Sequence, residues 1–265
     1  MPRLLPKSSP NAFRLEGKRG SVLLLHGFTG TPYELKPLAN ALHQAGFTCF
    51  APLLAGHGET PERLNQISAD TWIAAAGEAL ASLPLVKPRI VIGFSMGGLL
   101  ATLLAVSHPE QVDKLVLIAP AFHLRFYGKL AVFLSKMQIG HGWFVPKGQK
   151  GGDILDVDAR KKNPSYDKTP VKALTQLSCL IQKATQNLSQ ISCPTLALFG
   201  KKDRTVHSLK TARLLQKNIA SPYSQWFFER SAHVIPLDFD RDELIERILI
   251  FCESHASSKI SKKQL

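Results

Sequence analysis

Three side chains of this sequence could act together in nucleophilic catalysis, namely Ser95, Asp203 and His233. A serine hydroxyl is a weak nucleophile until a base removes its proton, and a histidine imidazole can do this near neutral pH. A carboxylate can hold that imidazole in the required tautomer and stabilise the imidazolium as it forms. The three residue types therefore indicate covalent catalysis by a serine nucleophile, provided that the fold brings them together.

Ser95 lies in a segment that has the form of a turn between a buried strand and a buried helix. Residues 90–92 are apolar and β-branched, which is typical of a strand buried on both faces of a parallel sheet. Segment 99–105 is rich in Leu and Ala and predicts a helix. Gly93 and Gly97 complete a G-x-S-x-G pattern, in which a strained turn presents the serine hydroxyl to solvent. The pattern alone also fits an ordinary glycine-rich turn, so its place between strand and helix supports the catalytic interpretation.

The rest of the sequence predicts the elements that must position these side chains. Further strands are predicted at 20–26, 47–51, 114–120, 194–200 and 225–229. Helices are predicted at 31–46, 70–83, about 208–219 and 240–253. Strands that alternate with helices over short loops indicate an α/β protein with a doubly wound, mostly parallel sheet.

The first predicted helix has recognisable ends. Thr31-Pro-Tyr-Glu34 has the form of a capping box with proline at the first helical position. Leucines at helical spacing follow, and Gly46 is the expected C-terminal cap. This segment is therefore predicted to begin at Thr31 and to pack its leucine face on the sheet.

One interval, from Phe122 to Leu188, breaks the alternation of strands and helices. It is too long for a single crossover and contains no convincing buried strand. It begins with aromatic residues, is rich in glycine in its middle, and is helical again from about Pro170. We predict a core domain of residues 1–121 and 189–265, with residues 122–188 inserted as a small helical cap.

The predicted sheet brings the three candidate side chains to one edge. In an open parallel sheet, ligands bind beyond the carboxyl ends of the strands. Asp203 and His233 each follow a predicted strand directly, as Ser95 does, whereas Asp113 precedes its strand and lies at the wrong end. The other nearby acids are predicted to be helix-cap and surface residues: Asp238, Asp240 and Asp242.

Further residues are predicted to complete the site. The backbone N–H groups of Met96 and Phe28 are the candidates for an oxyanion hole, and the loss of one such donor typically raises the barrier by roughly 3 to 4 kcal/mol. The candidate substrate-binding residues are Phe122, Phe126 and Val206. Packing of the cap against the sheet would explain the two phenylalanines equally well.

The remaining histidines and the cysteines do not point to a cofactor. His26 and His57 sit in glycine-flanked turns, where a hydrogen bond that stabilises the loop is the favoured interpretation. The four cysteines lack metal-ligand spacing and are expected to be reduced thiols. The predicted chemistry requires no metal ion and no organic cofactor.

The composition is that of a globular protein with an excess of basic residues. At 265 residues and 45% hydrophobic, the chain can bury a substantial core. No apolar run suits a signal peptide or a membrane span, so we expect a soluble, cytoplasmic protein. We also expect it to be a monomer. The formal charge of +13 comes partly from segment 122–175 and from the tail at 259–263. Without a nucleic-acid motif, a solvated basic surface is favoured, with weak association with an anionic membrane surface as the alternative.

Taken together, the motifs resemble those of the small bacterial carboxylesterases and monoacylglycerol lipases of the α/β-hydrolase superfamily. The resemblance runs from about Phe13 to Ser254 and is carried by these segments: His26-Gly-Phe-Thr-Gly30, Gly56-His-Gly58, Gly93-Phe-Ser-Met-Gly-Gly98, Asp203 and Ser231-Ala-His-Val-Ile235. It implies a catalytic triad at Ser95, Asp203 and His233 and oxyanion amides at Phe28 and Met96. The glycine-rich, basic run at 140–152 departs from the family pattern.

The resemblance implies a serine carboxylester hydrolase that cleaves short- to medium-chain esters or monoacylglycerols through an acyl-enzyme. The same triad could instead cleave thioesters or lysophospholipids, because the fold does not determine the substrate. A ligand-binding protein without catalysis is the alternative from a different class. The predicted partner is a small ester substrate, with no nucleic acid.

Overall fold

The apolar runs of the sequence form one central sheet in the computed structural model, which describes residues 11–125, 142–147 and 150–254. In chain order, the strands are β1 (Phe13–Leu15), β2 (Ser21–Leu25), β3 (Thr48–Ala51), β4 (Arg89–Phe94), β5 (Lys114–Ile118), β6 (Phe144–Pro146), β7 (Lys168–Pro170), β8 (Thr195–Gly200) and β9 (Tyr223–Phe228). Within the described residues, the central sheet has seven strands in the order β1-β3-β2-β4-β5-β8-β9, while β6 and β7 pair separately. Phe126 and the basic tail at 259–263 lie outside the described residues.

All neighbours in the central sheet are parallel except β1, which runs antiparallel to β3 with Phe13 opposite Ala51. The mostly parallel sheet confirms the predicted fold class. Strand β1 was not predicted, because it is three residues long and only partly buried, and such a segment has no apolar run to mark it.

Helices cover both faces of this sheet. The α-helices of the described residues are α1 (Lys36–Gln44), α2 (Pro61–Leu64), α3 (Ala69–Ala81), α4 (Met96–Ser107), α5 (Val157–Lys162), α6 (Val171–Gln186), α7 (Ser208–Asn218) and α8 (Arg241–Glu253). Alternate residues of a strand point to opposite faces, so Leu23 of β2 packs with α3 and α4 while Leu24 packs with α1 and α8. No helix in the described part of the chain is long and apolar enough to cross a membrane.

The first helix begins differently from the prediction. Pro32–Leu35 is a 3-10 helix, the α-helix starts only at Lys36, and the Thr31 side chain makes no capping hydrogen bond. The capping-box interpretation was wrong, because the Thr31 hydroxyl caps no amide and the Glu34 side chain instead accepts a hydrogen bond from Asn163 at 3.2 Å. Gly46 does follow the end of α1, with a φ of +95° that suits glycine.

The interval between β5 and β8 covers the carboxyl edge of the sheet. In its described part, β6 and β7 form a short antiparallel ribbon, and α6 packs against α4 and α3. Two side-chain amides attach α6 to the core, since Gln176 accepts from the Ala69 amide and Asn65 accepts from the Ala173 amide, both at 3.0 Å. The domain boundaries at residues 121 and 189 stay a prediction.

Candidate active site

Ser95 stands at a sharp turn between β4 and α4. Its backbone φ is +54°, a value that residues other than glycine rarely adopt. Helix α4 also lies so close to the end of β2 that a Cβ on Gly97 would lie 1.9 Å from the Leu25 carbonyl oxygen. A Cβ on Gly93 would lie 2.2 Å from the Gly97 carbonyl oxygen. Both glycines of the motif are therefore required by packing, and the strained turn directs the serine side chain into the site.

Ser95, His233 and Asp203 are joined by two hydrogen bonds. His233 Nε2 lies 2.9 Å from Ser95 Oγ, and His233 Nδ1 lies 2.7 Å from Asp203 Oδ2. All three residues are buried. The three candidates from distant parts of the sequence are thus in contact, in the geometry that serine activation needs.

Asp203 is held by the loop that follows β8. Its second carboxylate oxygen, Oδ1, accepts hydrogen bonds from the backbone N–H groups of Thr205 at 2.8 Å and Val206 at 2.7 Å. These bonds leave Oδ2 directed at His233. Val206 itself is fully buried, so the structure shows it supporting Asp203 through its backbone.

The His233 loop is built on two buried aspartates that the sequence did not distinguish from surface residues. Asp238 accepts hydrogen bonds from the Ala232 amide at 2.8 Å and from amides of segment 155–156 at 3.0 Å. Asp240 binds the Arg230 backbone and the Ser231 hydroxyl, both at 2.8 Å. The surface prediction was wrong for both residues, because the loop amides would be unpaired without a buried acceptor. Asp240 does occupy the N-cap position of α8, but its side chain makes no capping hydrogen bond there. Asp242 is exposed, as predicted.

The electrostatic environment raises the pKa of His233. Burial lowers the pKa, since it disfavours the imidazolium, but the charge and hydrogen bond of Asp203 outweigh this effect. The carboxylates of Asp153 and Glu34 add to the increase. The imidazolium is thus stabilised where catalysis would form it.

The raised pKa of His233 predicts the pH at which activity is lost on the acid side of the pH profile. The imidazole must be neutral to accept a proton, so kcat/KM for p-nitrophenyl butyrate should rise with pH through an apparent pKa above the ordinary value of 6.5. Initial rates between about pH 5 and pH 9 measure this. A Glu34→Gln variant should move the limb to lower pH, and a wild-type limb below 6.5 would contradict the assignment of the base.

The two predicted oxyanion donors belong to different elements, α4 and the loop after β2. Met96 is the first residue of α4, where a backbone N–H has no acceptor within the helix. Phe28 lies in the loop after β2, in a turn closed by a hydrogen bond from Gly30 N to Gly27 O at 3.1 Å. We call residues 27–30 the oxyanion loop. Gly27 lies close to Ser95, since a Cβ on Gly27 would lie 3.3 Å from the Ser95 Cβ.

His26 and His57 form hydrogen bonds that stabilise the loops after β2 and β3. His26 Nε2 accepts a hydrogen bond from the Leu54 amide at 3.1 Å, and His57 Nδ1 lies 3.2 Å from the Ala55 carbonyl oxygen. Burial lowers the pKa of His26 to about 4, so its ring is neutral. The two rings stack edge to face at 4.9 Å between centroids. Their loop-stabilising role agrees with the sequence interpretation.

A cavity of about 570 Å³ opens above Ser95 and His233. Part of its lining is apolar and includes Phe28, Leu124, Leu174 and Leu177. Other lining residues are polar: Thr29, Glu34, Lys147, Asp153, Ser165 and Arg204. The predicted substrate residues Phe122 and Val206 lie in the core and do not line the cavity. Leu174 and Leu177 were missed because their helical spacing fits ordinary core packing.

The described part of the chain contains no cluster of three or more His, Cys, Asp or Glu side chains that could hold a metal ion. Cys49, Cys193 and Cys252 are free and buried. Burial raises the pKa of the Cys49 thiol to about 12. These thiols are therefore protonated and unreactive at neutral pH.

Comparison with known proteins identifies the family. The model of the serine aminopeptidase S33 family matches residues 16–240. A thermostable monoacylglycerol lipase of Bacillus sp. strain H-257 is 33% identical over 94% of this chain and 96% of its own length. A carboxylesterase of Bacillus subtilis is 26% identical over 92% of this chain and 97% of its own length.

A solved structure agrees with the fold. It comes from a study of LipS and LipT, two metagenome-derived lipolytic enzymes, and superposes with a TM-score of 0.83 and 28% identity. The match covers 96% of this chain and 100% of that one. The resemblance inferred from the motifs is confirmed by these full-length similarities, and the chain belongs to the serine aminopeptidase S33 family of α/β-hydrolases.

Proposed function

We propose that this protein is a serine carboxylester hydrolase for short- to medium-chain esters or monoacylglycerols. The observation that carries the proposal is the hydrogen-bonded chain from Ser95 through His233 to Asp203, next to a cavity that both apolar and polar residues line. The names of the Bacillus relatives support the same reaction.

In the acylation step, Ser95 Oγ attacks the ester carbonyl carbon while His233 Nε2 takes its proton. Asp203 stabilises the imidazolium through Nδ1. The carbonyl oxygen becomes an oxyanion that the N–H groups of Phe28 and Met96 stabilise. When the tetrahedral intermediate collapses, His233 returns the proton to the departing alcohol and the acyl group stays on Ser95.

Deacylation repeats these steps with water as the nucleophile. His233 removes a proton from the water, whose oxygen attacks the acyl carbonyl carbon. The second tetrahedral intermediate releases the carboxylic acid, and the proton goes back to Ser95 Oγ. The free hydroxyl is restored, so each turnover consumes one ester and one water.

The shape of the cavity favours an amphiphilic ester. Leu124, Leu174 and Leu177 offer apolar surface to an acyl chain, and the driving force is about 25 cal/mol per Å² of apolar area buried. Asp153 and Arg204, which also line the cavity, offer polar groups to a hydroxylated alcohol. A monoacylglycerol has both an acyl chain and a hydroxylated alcohol, so we propose it as a substrate together with simple esters.

The proposal is tested by a substrate series at one pH. It comprises p-nitrophenyl esters and monoacylglycerols of increasing acyl length, an acyl thioester, a lysophospholipid and an amino-acid p-nitroanilide, the last because of the family's name. We expect kcat/KM to be highest for an ester or monoacylglycerol of short to medium length. A higher kcat/KM for the thioester, the lysophospholipid or the anilide would replace the proposed substrate class, and no turnover of any of them would favour a binding protein.

A further inference from the structure

Thr29 holds an unfavourable backbone conformation at the centre of the oxyanion loop. Its φ is +63°, although it is a β-branched residue for which this region is sterically costly. In the turn from Gly27 to Gly30, the second central residue with positive φ is normally glycine. Such a conformation persists only when surrounding contacts hold it.

The contacts that hold Thr29 come from the region between β5 and β8. The Lys147 ammonium donates a hydrogen bond to Thr29 Oγ1. The Thr29 carbonyl oxygen accepts two more, from Ser165 Oγ at 3.2 Å and from the Tyr166 backbone N–H at 3.1 Å. Thr29 Oγ1 in turn donates to the Phe28 carbonyl oxygen at 2.5 Å. Polar groups far along the chain thus fix both the side chain and the peptide of Thr29.

We propose that Lys147, Ser165 and Tyr166 form a clamp that holds Thr29 in its strained conformation and so directs the Phe28 N–H at the oxyanion. These are positioning residues, because they act through Thr29 and not on the substrate. The inference rests on the proposed function, in which Phe28 is an oxyanion donor. It implies that the oxyanion hole is complete only when this part of the cap region is docked on the loop.

The charges around the loop are arranged to keep the clamp closed. Lys147 Nζ also donates to Ser165 Oγ at 2.7 Å. Burial lowers the pKa of Lys147 to about 8, while the carboxylates of Glu34 and Asp167 oppose that shift. The ammonium is therefore mostly protonated at neutral pH, with its donors available to both hydroxyls.

Glu34 supports the same loop through Gly30. A Cβ on Gly30 would lie 2.2 Å from Glu34 Oε2, so the carboxylate packs directly on the loop backbone. Asn163 donates to Glu34 Oε1, which connects Glu34 to the same region of the chain as the clamp. Glu34 and Lys147 thus both contact the oxyanion loop, and their opposite charges attract each other while burial raises the pKa of Glu34.

The direct test is Lys147→Met, which keeps the length of the side chain and removes its donors. We expect kcat for p-nitrophenyl butyrate to fall by about 10- to 100-fold, since a misdirected oxyanion donor weakens the transition state, with KM within about threefold of wild type. Affinity for an alkylboronic acid, which mimics the tetrahedral state, should fall by a similar factor. Lys150→Met is the matched control, because Lys150 is an exposed lysine of the same region, and it should match wild type.

The same substitution in a Thr29→Gly variant distinguishes a positioning role of Lys147 from a general loss of structure. Thr29→Gly tolerates positive φ without cost and has no Oγ1 for Lys147 to bind. In this background, Lys147→Met should change kcat by less than about twofold, because the two residues act as one unit. An equal loss in both backgrounds would overturn the clamp. Circular dichroism shows which variants are folded, and Ser165→Ala, which removes one donor to the Thr29 carbonyl, replaces Lys147→Met if that variant does not fold.

The remaining outcomes are also decisive. A raised KM with unchanged kcat for Lys147→Met would mean that Lys147 contacts the substrate, which overturns the positioning role. Unchanged kcat and KM would overturn the clamp while leaving the proposed function intact, provided that wild-type hydrolysis depends on Ser95. If wild type hydrolyses no ester through Ser95, the proposed function fails and the clamp fails with it.

Discussion

Ser95→Ala is expected to reduce kcat for p-nitrophenyl butyrate by at least about 10⁴-fold, down to a residual rate from binding and the oxyanion donors. Alanine removes the only atom that could form the acyl-enzyme and keeps the backbone of the turn. Activity is measured at an enzyme concentration high enough to detect the expected residual rate. Circular dichroism and thermal unfolding check that the variant is folded. The side chain donates no hydrogen bond that a structural role would require, so stability should change little.

The matched control for this variant is Ser107→Ala. Ser107 lies at the other end of α4 and its hydroxyl bonds only to Leu103 and His108 in the described structure. It should retain wild-type kcat and KM. If Ser95→Ala keeps activity within tenfold of wild type, the serine nucleophile is refuted. A stoichiometric fluorophosphonate adduct on Ser95 in wild type, absent in the variant, would support the assignment independently of any substrate.

The second large effect is expected for Asp203→Asn, with kcat reduced by about 10³- to 10⁴-fold. Asparagine keeps an oxygen for the amides of Thr205 and Val206, so the loop should stay folded. Its amide nitrogen, however, can donate to His233 Nδ1 and favours the tautomer that cannot accept a proton from Ser95. The loss comes from the wrong proton arrangement and from a less stable imidazolium.

This variant also has a signature in the pH profile. Because the Asp203 charge raises the pKa of His233, its removal should move the acid limb of the residual kcat/KM to lower pH. Asp242→Asn is the matched control, since Asp242 is exposed and is paired with Arg241 on α8. It should leave both the rate and the limb unchanged. A full-rate Asp203→Asn enzyme would show that another acid serves His233.

Asp238 and Asp240 in the His233 loop show why residue type alone predicted the wrong environment for this segment. Asp238 and Asp240 precede a helix, and aspartate before a helix is most often a cap. In the structure their carboxylates turn inward, because Ala232, Arg230 and Ser231 have donors that only a buried acceptor can satisfy. A sequence pattern holds no information on where such donors lie in space.

Sequence patterns also could not predict the residues that hold the oxyanion loop in its conformation. Lys147 occurs in a basic, glycine-rich run and resembles a solvated surface lysine, and Thr29 resembles an ordinary turn residue. The Lys147–Thr29 contact joins positions 118 residues apart. The Glu34–Asn163 contact, across 129 residues, likewise depends on how the region between β5 and β8 docks on the sheet.

The sequence by itself determined the parallel sheet, the turn at Ser95 and the positions of Asp203 and His233 directly after their strands, because these follow from local periodicity and from the rule that parallel strands end at one edge. The tertiary structure decided what no local pattern encodes: the short antiparallel β1, the inward turn of Asp238 and Asp240, the apolar wall formed by Leu174 and Leu177, and the hold of Lys147 on Thr29. Each of these depends on which buried donor finds which acceptor, or which apolar face meets which cavity, once distant segments have packed together.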